Sequence, residues 1–254
     1  MVGATSTSTT TTERFSIVVV ANDFKELNHN LLTSDVAKST AHELVVIDNR
    51  GNRISDNICE LYCDAMRRVA NDLVFFMHQD VFIPDQWDEK VVSALIDLEQ
   101  HDPQWGVVGP VGAAFRPEDD GRWITGHWAD PSTEGWTEAG PLPARVQSLD
   151  ELCLGLRKSR GISFDPKLPG FHCYGMDLSL TARDMGFSSW AIDAPLWHKY
   201  RDRQGARITR KEESLKSHLR DRPEFIADYE AGKRYVGQKW SRYLPFRSTS
   251  TSWD

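Results

Sequence analysis

Short apolar runs separated by longer polar stretches set the framework of this chain. Phe15-Ser16-Ile17-Val18-Val19-Val20-Ala21, Glu43-Leu44-Val45-Val46-Ile47 and Leu73-Val74-Phe75-Phe76-Met77 are β-branched or aromatic and nearly continuous. Runs this short, with little alternation, predict strands buried on both faces. A polar, helix-prone stretch fills the first interval up to about Ser39. In the second, Ile58, Leu61, Tyr62, Ala65, Met66 and Val69 recur at helical spacing, with Ser55 or Asp56 as the cap. Val91, Val92, Leu95 and Leu98 form another helical face, capped by Asp85, and Trp105–Gly109 reads as a fourth strand. Strand alternating with helix predicts an α/β fold with a mostly parallel central sheet and helices on both faces. Such sheets bind ligands at the carboxyl ends of their strands. The first three strands end at Asp23, Asp48 and Asp80. A single Asp there is a common turn former, but three together suggest a shared polar crevice.

The pattern dissolves from Pro110 to Arg145, a stretch rich in Gly, Pro and acids that also holds Trp123, His127, Trp128 and Trp136. It reads as a long functional loop whose tryptophans either stack on a ligand or fill a satellite core. Leu149–Lys158 fits helix and strand equally. A helix is expected over about Leu178–Met185, closed by Gly186, and a last strand over Ser189–Asp193. Residues 1–13 form a Ser/Thr-rich tail expected to be disordered, and 247–254 a flexible tail. Residues 14–246 are expected to form a single domain, with a polar helical extension from about residue 205.

Composition narrows the partners. Thirty Lys and Arg stand against 37 Asp and Glu, a net charge of -7, which argues against a nucleic-acid partner. No apolar run approaches the roughly 20 residues of a membrane span, and the N-terminus has no basic and apolar signal pattern. Cys59, Cys63, Cys153 and Cys173 form no CxxC pair, and Cys59 and Cys63 read as thiols on one helical face. These features are those of a cytoplasmic protein, soluble or peripheral to a membrane.

The segment that bears most on chemistry is Leu73-Val74-Phe75-Phe76-Met77-His78-Gln79-Asp80-Val81, a buried strand delivering a polar triplet to the crevice. Its His78-Gln79-Asp80-Val81 resembles the strand-end motif of a branch of family 2-like glycosyltransferases of GT-A (nucleotide-diphospho-sugar transferase) fold. Gly170-Phe171-His172-Cys173-Tyr174-Gly175-Met176-Asp177-Leu178 and Asp193-Ala194-Pro195-Leu196-Trp197-His198 resemble later segments of the same branch, in the same order. The resemblance covers about Phe15 to Tyr200 and departs from the family in having one carboxylate in the triplet and Met176-Asp177 where an acidic doublet is usual.

That resemblance implies an inverting hexosyltransferase-type enzyme of carbohydrate biosynthesis. It would move a sugar from a nucleoside-diphosphate donor to the hydroxyl of a glycan, lipid-linked or small-molecule acceptor. Asp80 and His198 would hold Mn2+ or Mg2+, with His198 favouring manganese. Asn22, Asp23, Asp48, Asn49, His78 and Gln79 would bind the donor nucleotide, and Asp177 would be the general base. Trp128, Trp136, His172 and Tyr174 would face the acceptor. The alternatives are a non-catalytic sugar- or nucleotide-binding domain of the same fold and a metal-dependent nucleotide-sugar hydrolase.

Overall fold

The structure, a computed structural model, describes residues 13–114, 124–131, 135–202, 204–208 and 223–254. Its centre is a large mixed sheet. Strand β1 (Phe15–Ala21) pairs in parallel with β2 (Glu43–Asp48) and with β3 (Leu73–Met77). Side chains along β1 and β3 alternate between two separate cores. Phe15, Ile17, Val19, Leu73, Phe75 and Met77 face one, and Val18, Val74 and Phe76 face the other. This double burial explains why the runs are apolar throughout. β2 differs from expectation: it is the sheet edge, half-buried, with Val46 36% exposed.

Helices cover both faces. Short α1 (Phe24–His29) and α2 (Asp35–Lys38), together with α4 (Trp87–His101), pack on the first core. Helix α3 (Ile58–Arg68) packs on the second. Asn57 caps α3, in place of the expected Ser55 or Asp56, by accepting from the Cys59 and Glu60 N–H groups. Such a cap contributes about 1 kcal/mol. Strand β4 (Val81–Phe82) precedes α4, and β5 (Trp105–Gly109) follows it.

The stretch expected to be a loop departs most from the sequence reading. It contains β6 (Val111–Ala114), β7 (Ile124–Asp130), β8 (Gly135–Ala139) and β9 (Ala144–Leu149), paired antiparallel as β9-β6-β7-β8. Close approach replaces apolar bulk here. Gly126 has φ +147, and a Cβ on it would meet the Pro110 oxygen at 2.3 Å. Trp123 lies outside the described residues.

Strand β10 (Cys153–Arg157) runs antiparallel between β3 and β5, which resolves the ambiguous 149–158 stretch. Helix α5 (Tyr174–Asp184) leads to β11 (Ser188–Ala191), parallel to β5, and to β12 (Leu196–His198), parallel to β7. Helix α6 (Pro223–Lys239) supplies the C-terminal helical extension and lays Val236 into the α3/α5 core.

Both expected tails need comment. Residues 1–12 lie outside the described residues, but Glu13 forms an ion pair with Arg157. The stretch expected to be a flexible tail from residue 247 is held in place. Strands β13 (Phe246–Arg247) and β14 (Ser252–Trp253) make a hairpin, and Trp253 is buried and donates to the Lys233 carbonyl at 2.8 Å. Its two aromatic residues, Phe246 and Trp253, supply the burial that the surrounding Ser and Thr lack.

Candidate functional site

Three ligand-type side chains meet where β3 leaves the sheet. Beyond Met77 the chain presents His78 and Asp80, then re-enters the sheet as β4. The antiparallel register of β4 with β12 sets His198 opposite Val81, beside Asp80. The Lys199 N–H donates to the Asp80 carbonyl at 2.7 Å and locks this corner. His198 Nε2 lies 3.4 Å and His78 Nδ1 3.9 Å from Asp80 Oδ1. One ligand atom from each of the three residues falls within 4.8 Å of the others.

A tyrosine behind this group orients it. His78 Nε2 lies 2.9 Å from the Tyr174 hydroxyl, which donates to the Glu151 carbonyl at 3.2 Å. This contact fixes the plane of the ring and leaves Nδ1 on the Asp80 side, as second-shell partners of metal-bound histidines do. Burial lowers the His78 pKa, and His198 adds to the effect against the pull of Asp80. Burial raises the Asp80 carboxyl, but His198, His78 and Lys199 outweigh it and hold it below the usual range. Burial lowers His198 too, but Asp80 outweighs it and raises its pKa, so a cation would displace the proton that the Asp80–His198 pair favours. Two imidazoles and a carboxylate are a donor set that fits a divalent transition ion.

The group borders two spaces. A cavity of about 530 Å³ is lined by His78, Asp80, Glu151, His172, Tyr229 and His198, and the Ser248–Thr251 turn of the C-terminal hairpin forms part of its wall. A smaller pocket of about 180 Å³ on the β1 side is lined by Val20, Asn22, Asn49, His78, Asp80 and Tyr174.

Other expected site residues are distributed unevenly around these spaces. Asn22 lines the smaller pocket. Gln79 also borders it, but its Oε1 accepts from the Asn22 and Asp23 N–H groups, both at 3.0 Å, and so ties the end of β1 to that of β3. Asp23 caps α1 through the Lys25 and Glu26 N–H groups. Buried Asn49 shapes the loop after β2, accepting from Ile54 N–H and donating to the Ser55 carbonyl. Asp48 is ion-paired with Arg50 and Arg53, and the Arg50 hydrogen bond holds its carboxyl well below the usual range. His172 and Tyr174 lie at the head of α5, and both face the crevice. Trp136 is 46% exposed and stacks edge-on with Trp197, and Trp128 packs on the first core. Neither tryptophan lines the two spaces, so the expected acceptor-side role does not fit them.

The clearest correction concerns Asp177. It lies in the first turn of α5, as expected, but it is only 1% exposed. The Trp240 indole N–H donates to Oδ1 at 2.7 Å and the Lys239 ammonium to Oδ2 at 3.0 Å. Burial opposes charge on Lys239, but Asp177 and Asp165 outweigh it and raise its pKa. A general base must reach the proton it abstracts. Asp177 reaches neither space, and it anchors α6 instead.

His78, expected on the nucleotide side, stands with Asp80 and His198, and Glu151, which was not among the expected site residues, lines the larger cavity. The Asp150-Glu151 pair stands immediately before the apolar run Leu152–Leu156, the mirror of the carboxylate-at-strand-end signal used for the first three strands.

No protein-family model matches the chain. A protein of Fuscovulum blasticum described as ATP synthase subunits region ORF 6 is 32% identical over 157 residues, which cover 61% of this chain and 62% of that protein. The chain thus spans less than two thirds of this relative. Among solved structures, it is similar to the mannosyltransferase PcManGT from Pyrobaculum calidifontis, in complex with GDP-Man and Mn2+. The TM-score is 0.45 at 11% identity, over 75% of this chain and 58% of that one. It is also similar to GalNAc-T7 with UDP, GalNAc and Mn2+, with TM-score 0.46 at 10% identity over 74% and 43%.

Proposed function

We propose that this chain is a glycosyltransferase of GT-A type that moves a sugar from a nucleoside-diphosphate donor to an acceptor hydroxyl, with inversion. One observation carries the reading: His78, Asp80 and His198 converge at the carboxyl end of β3, where two spaces share His78 and Asp80 as lining. The β1-side pocket would take the donor nucleoside, with Asn22 and Asn49 at its walls. The larger cavity would admit the acceptor.

His78, Asp80 and His198 would hold the cation. Two imidazoles beside one carboxylate favour manganese over magnesium. When bound, it supplies Lewis-acid neutralisation of charge on the leaving diphosphate. Tyr174 holds the His78 ring in its ligating orientation. Entry of the acceptor from the side opposite the diphosphate would give attack and departure on opposite faces of the anomeric carbon. A cytoplasmic location and an acceptor of glycan, lipid-linked or small-molecule class belong to the same reading. Among the described residues no helix is long and apolar enough to cross a membrane.

The test is a panel of nucleotide sugars incubated with the full chain and Mn2+, with and without glycoside acceptors. Acceptor-dependent release of nucleoside diphosphate with an inverted product is expected. Acceptor-independent release would make the chain a hydrolase, and binding without release a recognition domain. The same donor set also holds ferrous iron in oxygenases. Turnover that needs Fe2+ and dioxygen would replace the transferase reading.

A further inference from the structure

Asp150 and Glu151 both line the larger cavity, and among the described residues neither has a cationic partner in contact with it; Asp150 accepts from the Leu152 N–H and the Thr249 hydroxyl, whereas Glu151 is turned toward the head of α5. It sits in the turn between β9 and β10, and its backbone carbonyl accepts from the same Tyr174 hydroxyl that holds His78. The adjacent Leu152 carbonyl accepts from the His78 N–H at 3.1 Å. One side chain therefore separates Glu151 from the cation-binding group.

Its carboxylate is aimed at the head of α5. Oε1 accepts from the Gly175 N–H at 3.2 Å, the terminus that Cys173, in the left-handed region at φ +67, leaves without a side-chain cap. The space is made by Gly175 itself. A Cβ there would meet the Leu149 oxygen at 2.6 Å and Glu151 Cγ at 3.0 Å. The backbone therefore fixes the carboxylate's position from two sides.

We infer that Glu151, rather than Asp177, is the general base of this active site, taking the proton from the acceptor hydroxyl as that oxygen attacks. The inference rests on the transferase reading. In the step, the acceptor O–H bond breaks and its proton passes to Glu151, which becomes a neutral carboxylic acid. The acceptor oxygen bonds to the anomeric carbon, and the electron pair of the severed bond leaves with the diphosphate oxygen. Glu151 then returns the proton to water through the cavity.

The surroundings suit a base that works near neutrality. Ionisable groups facing Glu151 are Asp150 beside it, Cys59 and Tyr62 of α3, Cys173 and Tyr174 at the head of α5, and Tyr229 of α6. The basic side chains of the same cavity are His78, His172, His198 and Lys199. Burial, with Asp150 adding to it, pushes the Glu151 carboxyl up to about 8 against hydrogen bonds from the Gly175, Tyr174 and Cys173 N–H groups.

The experiment compares the parent chain with Glu151→Gln and Glu151→Asp. UDP-glucose, UDP-galactose and GDP-mannose serve as donors with Mn2+, and release of nucleoside diphosphate to water and to simple glycosides is read from pH 5 to 9. Gln can still accept from Gly175 N–H, so folding and UDP or GDP affinity should stay within about two-fold of the parent. Release should fall by on the order of 10²–10⁴. The limb that rises toward pH 8 in the parent should vanish, and Glu151→Asp should restore part of both. Parent-like release by Glu151→Gln would overturn the inference and leave the transferase reading intact. So would a lowered melting midpoint with the pH limb unchanged, the signature of a helix cap alone. A parent that releases nothing from any donor overturns the transferase reading and this inference with it.

Discussion

Asp80 and Asp177 look alike in the sequence, each an acid at the edge of an element beside aromatic residues, yet their surroundings differ. Around Asp80 the chain gathers two histidines whose lone pairs and rings converge on the same point, and it leaves that point bordered by a cavity. Around Asp177 it gathers a Lys ammonium and a Trp N–H and closes the space. The first carboxylate is surrounded by groups that are themselves ligands, so the three together could hold a cation. The second is already satisfied by donors, so nothing further can bind. What distinguishes a functional acid from a structural one is therefore whether the fold completes its hydrogen bonding.

The contrast breaks most visibly if Asp80 can be removed without loss. Asp80→Asn should cut transfer by at least about 10²-fold, the scale on which metal sites lose function when their shell is damaged, while the melting midpoint stays near the parent's. A variant with full activity in EDTA would end the cation account. Next in size is Tyr174→Phe, which frees His78 to rotate. Manganese affinity, followed by titration, should weaken by about 10–100-fold. Unchanged affinity would mean that the tyrosine packs but does not orient.

Asp177→Asn probes the other side of the comparison. An amide can accept from Trp240 but cannot balance Lys239 in the same way, so urea denaturation should show a loss of about 1–3 kcal/mol. Manganese affinity should be untouched. Loss of transfer with full stability would restore Asp177 as a catalytic group.

A further effect is a pH slope in stability that belongs to Glu151. Its folded value of about 8 lies above the ordinary 4.5. Between those values the folded state holds a proton that the unfolded state has released, so stability should fall as pH rises across that window. The slope for one proton is at most about 1.4 kcal/mol per pH unit, less to the extent that solvent reaches the carboxyl. Glu151→Gln should flatten it, and an identical slope in both chains would place the carboxylate in water.

The legible and illegible parts of the chain divide along physical lines. β1, β3 and α3 were readable because their burial is strong and periodic. The antiparallel β6 to β9 segment was not, because glycine contacts and tryptophan edges replace apolar bulk there. His198 could be paired with Asp80 only through the family resemblance of the Asp193–His198 segment, because nothing in the spacing of the two residues brings them together. The role of Asp177 was hidden, because Lys239 and Trp240 reach it across 62 and 63 residues of chain. Glu151 was hidden for the same reason. Its partner Gly175 stands 24 residues away on another element, and glycine carries no chemical signal of the space it leaves.

The central claim is that His78, Asp80 and His198 form one cation site that holds a nucleoside diphosphate. Calorimetric titration of UDP and GDP into the full chain, with Mn2+ and then with EDTA, tests it most directly, alongside the same titrations into Asp80→Asn. The account predicts binding of at least one nucleotide that requires Mn2+ in the parent and is lost in Asp80→Asn. Equal binding in EDTA, or in Asp80→Asn, would contradict it.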